Sequence, residues 1–250
     1  MSTVGPLHAE ITRSQSEKFT APLVLLHGLW ERPPVWRRFA GYLAHRGWQC
    51  IALERRPDAS DIAAQLADLR AAIAALDAPP VLLGHDFGGL LALHCTEIAR
   101  AAVAVAPLVG PPLVASLPAL EHAGSWFARR RGAPLHAPRG HWSNAYPLRD
   151  VAEDAGLLKQ ILAGALPPLA APGETPRAVF GTEDDEIVAP SALRAFANAA
   201  GAEVHMLDRG GHAILDTPGW ERVVAAVHRW IIQELGVDLL ALYDESMQTE

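Results

Sequence analysis

Short apolar runs alternate with longer stretches of helical period along most of this chain, the pattern of a mainly parallel sheet covered by helices. Pro22-Leu23-Val24-Leu25-Leu26 reads as a strand. The segment from Val35 to His45 places Val35, Phe39 and Leu43 on one helical face, and Trp48 to Leu53 returns to a strand. Asp61 to Leu76 predicts an Ala-rich helix with Ser60 as its N-cap, stopped by Asp77 and Pro79-Pro80. Pro80-Val81-Leu82-Leu83 is the next strand; it runs into Gly84-His85-Asp86-Phe87-Gly88-Gly89 and then into the apolar helical stretch Leu90-Leu91-Ala92-Leu93. Ala101 to Ala106 is one more strand.

The alternation then dissolves. From Pro107 to Pro172 the chain is rich in Pro, Gly, Arg, His and Trp, which predicts a small lid inserted into the core. Regularity resumes with the strand Ala178-Val179-Phe180, a helix over Ser191 to Ala200, the strand Glu203 to Leu207 and a final helix from about Trp220 to Leu235. The tail is apolar from Val237 to Tyr243 and polar from Asp244 to Glu250, consistent with either docking or fraying. No internal repeat interrupts this order. The expectation is one α/β domain over residues 1–250, with its core in 1–107 and 174–250 and a lid over about 108–173.

Composition agrees with a single domain. At 250 residues, 50% hydrophobic and 20% charged, the chain can bury a sizeable core. The net charge of −7 comes from interspersed acids, and the basic clusters Arg55-Arg56 and Arg129-Arg130-Arg131 are too short for a nucleic-acid footprint. Nucleic acid and membrane are therefore not expected partners; a small-molecule substrate is. Cys50 and Cys95 sit inside apolar runs, where a free thiol behaves as a small buried hydrophobe, so a reducing compartment fits. Met1 to Glu17 lacks the basic start and apolar middle of a signal peptide, and no apolar run approaches a membrane span. The expected location is the cytoplasm.

The chemistry concentrates at the ends of strands. Gly84 and Gly88 flank Asp86 as small residues flank the serine of a G-x-S-x-G nucleophile elbow, a tight strand-to-helix turn that exposes the reactive side chain. An aspartate there needs no base to attack, and its product is an aspartyl ester. His27-Gly28-Leu29-Trp30 follows the strand ending at Leu26 and should face the same crevice, because ligands of open α/β sheets sit beyond the carboxyl ends of the strands. The backbone amides of Leu29 and Phe87 are then the natural oxyanion donors. Arg209-Gly210-Gly211-His212 offers a histidine on a glycine-rich loop as general base. The acid that orients it lies within Gly181-Thr182-Glu183-Asp184-Asp185-Glu186, with Asp185 favoured over Asp184.

Nucleophile, acid and histidine in this order resemble the α/β-hydrolase family over essentially the whole chain. The form Gly84-His85-Asp86-x-Gly88-Gly89 resembles its aspartate-nucleophile branch, which contains haloalkane dehalogenases, epoxide hydrolases and fluoroacetate dehalogenases. The resemblance implies Asp86 as nucleophile, His212 as the base that activates water, Asp185 or Asp184 as its partner, and Leu29 and Phe87 as backbone donors. Other positions depart from that branch. Phe87 replaces the tryptophan that donates to halide in many dehalogenases, Leu29 replaces an asparagine, Trp30 occupies the proline position of H-G-x-P, and Tyr146 is the only tyrosine in the lid segment. The elbow helix carries no arginine to hold a substrate carboxylate. Gly28-Leu29-Trp30 and Ala106 to Pro112 are also loosely similar to serine-type esterase relatives with a small lid.

Three functions follow as expectations. The first is an aspartate-nucleophile hydrolase of dehalogenase or epoxide-hydrolase type, acting without a cofactor on a small apolar or aromatic substrate. The second is a lyase, isomerase or cofactor-free enzyme that uses Asp86 and His212 for proton transfer. The third is a ligand-binding protein on a hydrolase scaffold. Candidate substrate contacts are His27, Trp30, His85, Trp126, His141, Trp142 and Tyr146, with Trp36 and Phe127 as further aromatic walls. The Cys and His residues show no metal-ligand spacing, and no phosphate-binding or dinucleotide glycine pattern is present.

Overall fold

A computed structural model describes residues 2–56, 59, 61–109, 134–136, 151–164, 166, 168–169 and 173–247. The first strands are β1 (Ser2–Val4), β2 (Leu7–Thr12) and β3 (Leu23–Leu26). A 3-10 turn over Pro33–Trp36 leads into α1 (Arg37–His45), followed by β4 (Cys50–Glu54), α2 (Ile62–Ala74), β5 (Val81–His85), α3 (Phe87–Leu93) and β6 (Ala101–Val105). Next come β7 (Pro134–His136), β8 (Ala152–Asp154) and α4 (Ala155–Leu162). The chain continues with β9 (Arg177–Thr182), α5 (Pro190–Ala199), β10 (Glu203–Leu207) and α6 (Trp220–Met247).

Eight strands form one sheet in the order β1-β2-β4-β3-β5-β6-β9-β10. The pairs from β4 to β10 are parallel, and the two amino-terminal strands add to one edge antiparallel. Because side chains alternate across a strand, each central strand feeds two cores. Val24 and Leu26 of β3 join the cluster under α2, α3, α4 and α5, whereas Leu23 and Leu25 join the cluster under α1 and α6. Helices therefore cover both faces, as the alternating pattern requires.

Several elements differ from expectation. The strands β1 and β2 are unpredicted, although Leu7-His8-Ala9-Glu10 alternates buried and exposed as a half-covered edge strand does. The cap of α2 is Asp61, whose carboxylate accepts from the Ala64 N–H at 2.6 Å; Ser60, expected in that role, lies outside the described residues. Within the segment read as a lid, β7 and β8 pair antiparallel and α4 follows, capped by Asp154 through the Gly156 and Leu157 amides. Residues 110–133 and 137–150 of that segment lie outside the described residues. The last helix continues beyond Leu235 to Met247. Among the described residues, no helix is long and apolar enough to cross a membrane.

Candidate active site

The parallel strands β3, β5, β9 and β10 end on the same side, and the loops that leave them bring four groups together. Asp86 follows β5 directly, with φ 54° and ψ −123°, a left-handed conformation that a non-glycine residue adopts only where the surroundings enforce it. The enforcement is local. The Asp86 N–H donates to Val105 O of β6 at 3.0 Å, and the helix α3 begins at the next residue. A Cβ at Gly84 would come within 2.1 Å of Gly88 O, and one at Gly88 within 2.2 Å of Leu26 O, so both positions admit glycine alone.

The two carboxylate oxygens of Asp86 have different partners. Oδ1 accepts from the Leu29 N–H at 3.3 Å and from the Phe87 N–H in a shorter contact. Oδ2 lies 3.2 Å from Nε2 of His212. Both side chains are fully buried. On its other edge, His212 Nδ1 lies 3.0 Å from Asp185 Oδ2 and 3.2 Å from Oδ1, and that carboxylate also accepts from the Ile187 and Val188 amides at 2.8 Å each. Asp184 instead points at loop backbone, accepting from Gly210 and Gly211 N–H at 2.9 Å each. It shapes the turn that carries His212. Gly211 has φ 62°, and Glu186 accepts the His212 N–H at 3.2 Å, completing the loop.

His27 and His85, expected as substrate contacts, do not fit that role, because every ring nitrogen is committed to the protein. His27 Nδ1 meets Gly28 O at 2.9 Å and its Nε2 accepts the Arg55 backbone N–H at 3.2 Å. His85 Nδ1 meets Glu31 at 3.0 Å and its Nε2 meets His212 O at 2.9 Å. Trp36 packs edge-on against Phe39 in the core beneath α1, not at the site. Trp30 is fully buried with φ 54° and borders a cavity of about 240 Å³ together with Glu31, Pro34 and Val35. Trp126, Phe127, His141, Trp142 and Tyr146 lie outside the described residues.

Two residues that the sequence did not single out organise the loop over 27–30. Glu31 accepts the Gly28 N–H at 2.7 Å, and Glu153 of β8 accepts the Trp30 N–H at 2.9 Å. Glu153 also pairs with Arg55 at 2.6 Å, both nearly inaccessible, and Arg55 donates to Gly28 O at 2.7 Å. The Leu29 amide is thus fixed by buried charges on both sides. The residues around Glu153 carry neither a clear apolar period nor a motif, so no sequence signal marks it. Among the described residues, no three His, Cys, Asp or Glu side chains group as metal ligands.

Electrostatics follow the geometry. Burial opposes a charge on His212, but Asp185 and Asp86 outweigh it and raise its pKa from 6.5 to about 10. Burial likewise opposes the Asp185 anion, and the His212 charge with the hydrogen bonds to Asp185 holds its pKa below the usual value. The raised pKa favours a proton on the His212 ring, which sits between Asp185 and Asp86. Below pH 6.5 the folded and unfolded chains both carry this proton and the stabilisation is complete. Between 6.5 and about 10 only the folded chain keeps it, so stability falls as pH rises through that window. Urea midpoints measured across it should decline steadily, and His212→Gln should flatten the decline.

A model of the alpha/beta hydrolase family matches residues 23–226. No curated protein sequence matches the chain. Among solved structures, it is similar to a monoacylglycerol lipase of Paleococcus ferrophilus, with a TM-score of 0.72 and 18% identity over 91% of this chain and 99% of that one. A soluble variant of monoglyceride lipase from Saccharomyces cerevisiae gives 0.75 and 14% over 93% and 96%. A thermophilic esterase from Thermogutta terrifontis gives 0.63 and 17% over 91% and 93%. At these identities the likeness is one of fold.

Proposed function

Since the chain belongs to the alpha/beta hydrolase family, we propose that it is a hydrolase in which Asp86 attacks an electrophilic sp3 carbon of a small substrate. The leaving group is a halide or an epoxide oxygen. The observation that carries this reading is the division of labour on the Asp86 carboxylate, with Oδ1 on two amides and Oδ2 facing His212. A serine at this position would leave those amides to the substrate's carbonyl oxygen. Here they hold the oxygen that becomes the carbonyl of an aspartyl ester.

Asp86 Oδ2 forms a bond to carbon, and the carbon–leaving-group bond breaks with its electron pair. Ester formation removes one of the two negative charges flanking His212, which then loses its proton, to the new alkoxide where an epoxide has opened or to solvent where a halide has left. Neutral Nε2 takes a proton from water, and the hydroxide adds to Cγ. Charge develops on Oδ1, where the Leu29 and Phe87 amides stand; donors so placed are worth about 3 kcal/mol each in the transition state. Cleavage of the Cγ–Oδ2 bond gives the His212 proton to the departing alcohol, and the carboxylic acid left on Asp86 passes its proton to the now neutral Nε2, which restores the carboxylate and the imidazolium.

The nucleophile's own charge thus keeps its base protonated until the ester exists. Screening alkyl halides and epoxides against acyl esters, with intact mass after mixing, tests the reading: a substrate-derived mass increment on Asp86 supports it. Turnover of esters alone, with no increment, contradicts it. A second reading has one observation in its favour, the direct contact between His212 Nε2 and Asp86 Oδ2. In it these groups pass a proton in an elimination or isomerisation, and no adduct forms with any substrate.

A further inference from the structure

We propose that Glu31 and His85 form a permanent buried carboxylate–imidazolium pair that positions His212 for its work as a base. This rests on the reading of His212 as the base. The hydrogen-bond inventory carries the assignment. A carbonyl oxygen only accepts, so the contact between His85 Nε2 and His212 O, at 2.9 Å, requires a hydrogen on Nε2. Glu31 Oε2 faces Nδ1 at 3.0 Å while accepting the Gly28 N–H at 2.7 Å. In the proposal this oxygen is ionised and takes both hydrogens; a Glu31 carboxyl donating to a bare Nδ1 is the alternative that a single ring hydrogen on His85 would reveal. Both ring nitrogens of His85 then carry hydrogen, which makes the ring a cation.

His27, only one loop away, has the opposite state. Its Nε2 accepts the Arg55 N–H and so carries no hydrogen, while Nδ1 donates to Gly28 O. Burial and then the Arg55 charge push its pKa well below the usual imidazole value. For His85, burial also works against the cation, but the charge and hydrogen bond of Glu31 raise its pKa. The other charged groups facing His85 are His212, which opposes its protonation, and Asp86, which favours it.

The pair ties three loops together. Glu31 holds the Gly28 amide beside the oxyanion donor Leu29, His85 is the residue before the nucleophile, and its Nε2 holds the carbonyl of His212. The ring centroids of His85 and His212 are 5.4 Å apart. A fixed cation at that distance repels a second one. Asp185 and Asp86 oppose this on the His212 ring, and Glu186 faces its backbone N–H. When Asp86 becomes an ester, one attraction disappears and the repulsion from His85 remains, which drives His212 toward its neutral form. His85 and Glu31 are positioning residues; neither touches the reacting atoms.

Nitrogen-15 imidazole spectra of the resting protein test the pair without any substrate. The expected result is two ring hydrogens on His85 from about pH 5.5 to 8.5, with His27 protonated on Nδ1 alone. A single ring hydrogen on His85 overturns the proposal. The second arm uses Asp86→Asn, an isostere that lacks the nucleophile's charge as the ester does. Adding His85→Gln, whose amide can still donate to His212 O, should raise the His212 pKa by about one unit, a tenfold change in its protonation equilibrium. Adding Glu31→Gln should move it the same way, because His85 then keeps only its Nε2 hydrogen, and this variant answers the question if His85→Gln fails to fold. An unchanged His212 titration overturns the positioning role. These spectra are independent of whether Asp86 carries substrate, so failure here and failure of the hydrolase reading remain separate results.

Discussion

Replacing Asp86 by Asn is expected to lower turnover at least about 10⁴-fold, because it removes the atom that forms the covalent bond in the proposed mechanism and leaves the site otherwise intact. The substitution is nearly isosteric. The Asn oxygen can accept the Leu29 and Phe87 amides as Oδ1 does, and its NH₂ can donate to a neutral His212 Nε2. The tight packing of Gly28 against the Asp86 side chain is unchanged, since a Cβ on Gly28 would already come within 2.5 Å of Asp86 Cβ. Steady-state rates on an alkyl halide or epoxide, with thermal unfolding as the control for folding, measure the effect. Activity within tenfold of the unsubstituted protein would remove Asp86 from the mechanism.

The second large effect is expected from His212→Gln. In the proposed mechanism the first step needs only the Asp86 carboxylate, so the ester should still form; the second needs a base for water, whose loss costs about 10²- to 10⁴-fold. The adduct should therefore accumulate. Intact mass should show the protein plus an alkyl halide minus its halide, or plus the whole mass of an epoxide, and digestion should place the increment on the peptide that contains Asp86. Asp185 stays bonded to the Ile187 and Val188 amides in this variant, so its loop has no cause to collapse. Full turnover with no adduct would mean that His212 serves the first step or none.

The parts of this site legible in sequence were those with spatial constraints written into residue type. Gly84 and Gly88 are readable because the turn around Asp86 leaves no room for a Cβ, and Gly210-Gly211 because the loop carrying His212 needs left-handed backbone. The choice between Asp184 and Asp185 was not fully legible, since one residue along a turn reverses which carboxylate faces the ring. In the structure Asp185 meets the ring and Asp184 meets the Gly210 and Gly211 amides. Glu31 and Glu153 could not be found by pattern. Their roles depend on burial against the loop over 27–30 from positions 1 and 123 residues away from Trp30, and neither spacing has a local signature. His27 and His85 were read as facing substrate because they neighbour the reactive residues; a position beside the site in sequence does not fix which way a ring turns.

The same limit explains the fold. Central strands were recognisable as unbroken apolar runs because helices bury both of their faces. At the amino-terminal side of the sheet β1 and β2 are half covered and their alternation is short, so they blend into the amino-terminal segment. The short strands β7 and β8 lie in a stretch whose Pro, Gly and Arg content masks any period.

One measurement addresses the central claim directly, that Asp86 carries the substrate as an ester. In a single turnover run in oxygen-18 water with enzyme in excess, hydroxide adds to Cγ of Asp86 and the product keeps an oxygen that began on the protein. The heavy oxygen should appear in the Asp86 peptide and be absent from the first product. Label in the product with none in the protein would mean that water attacks the substrate itself, and would contradict the account.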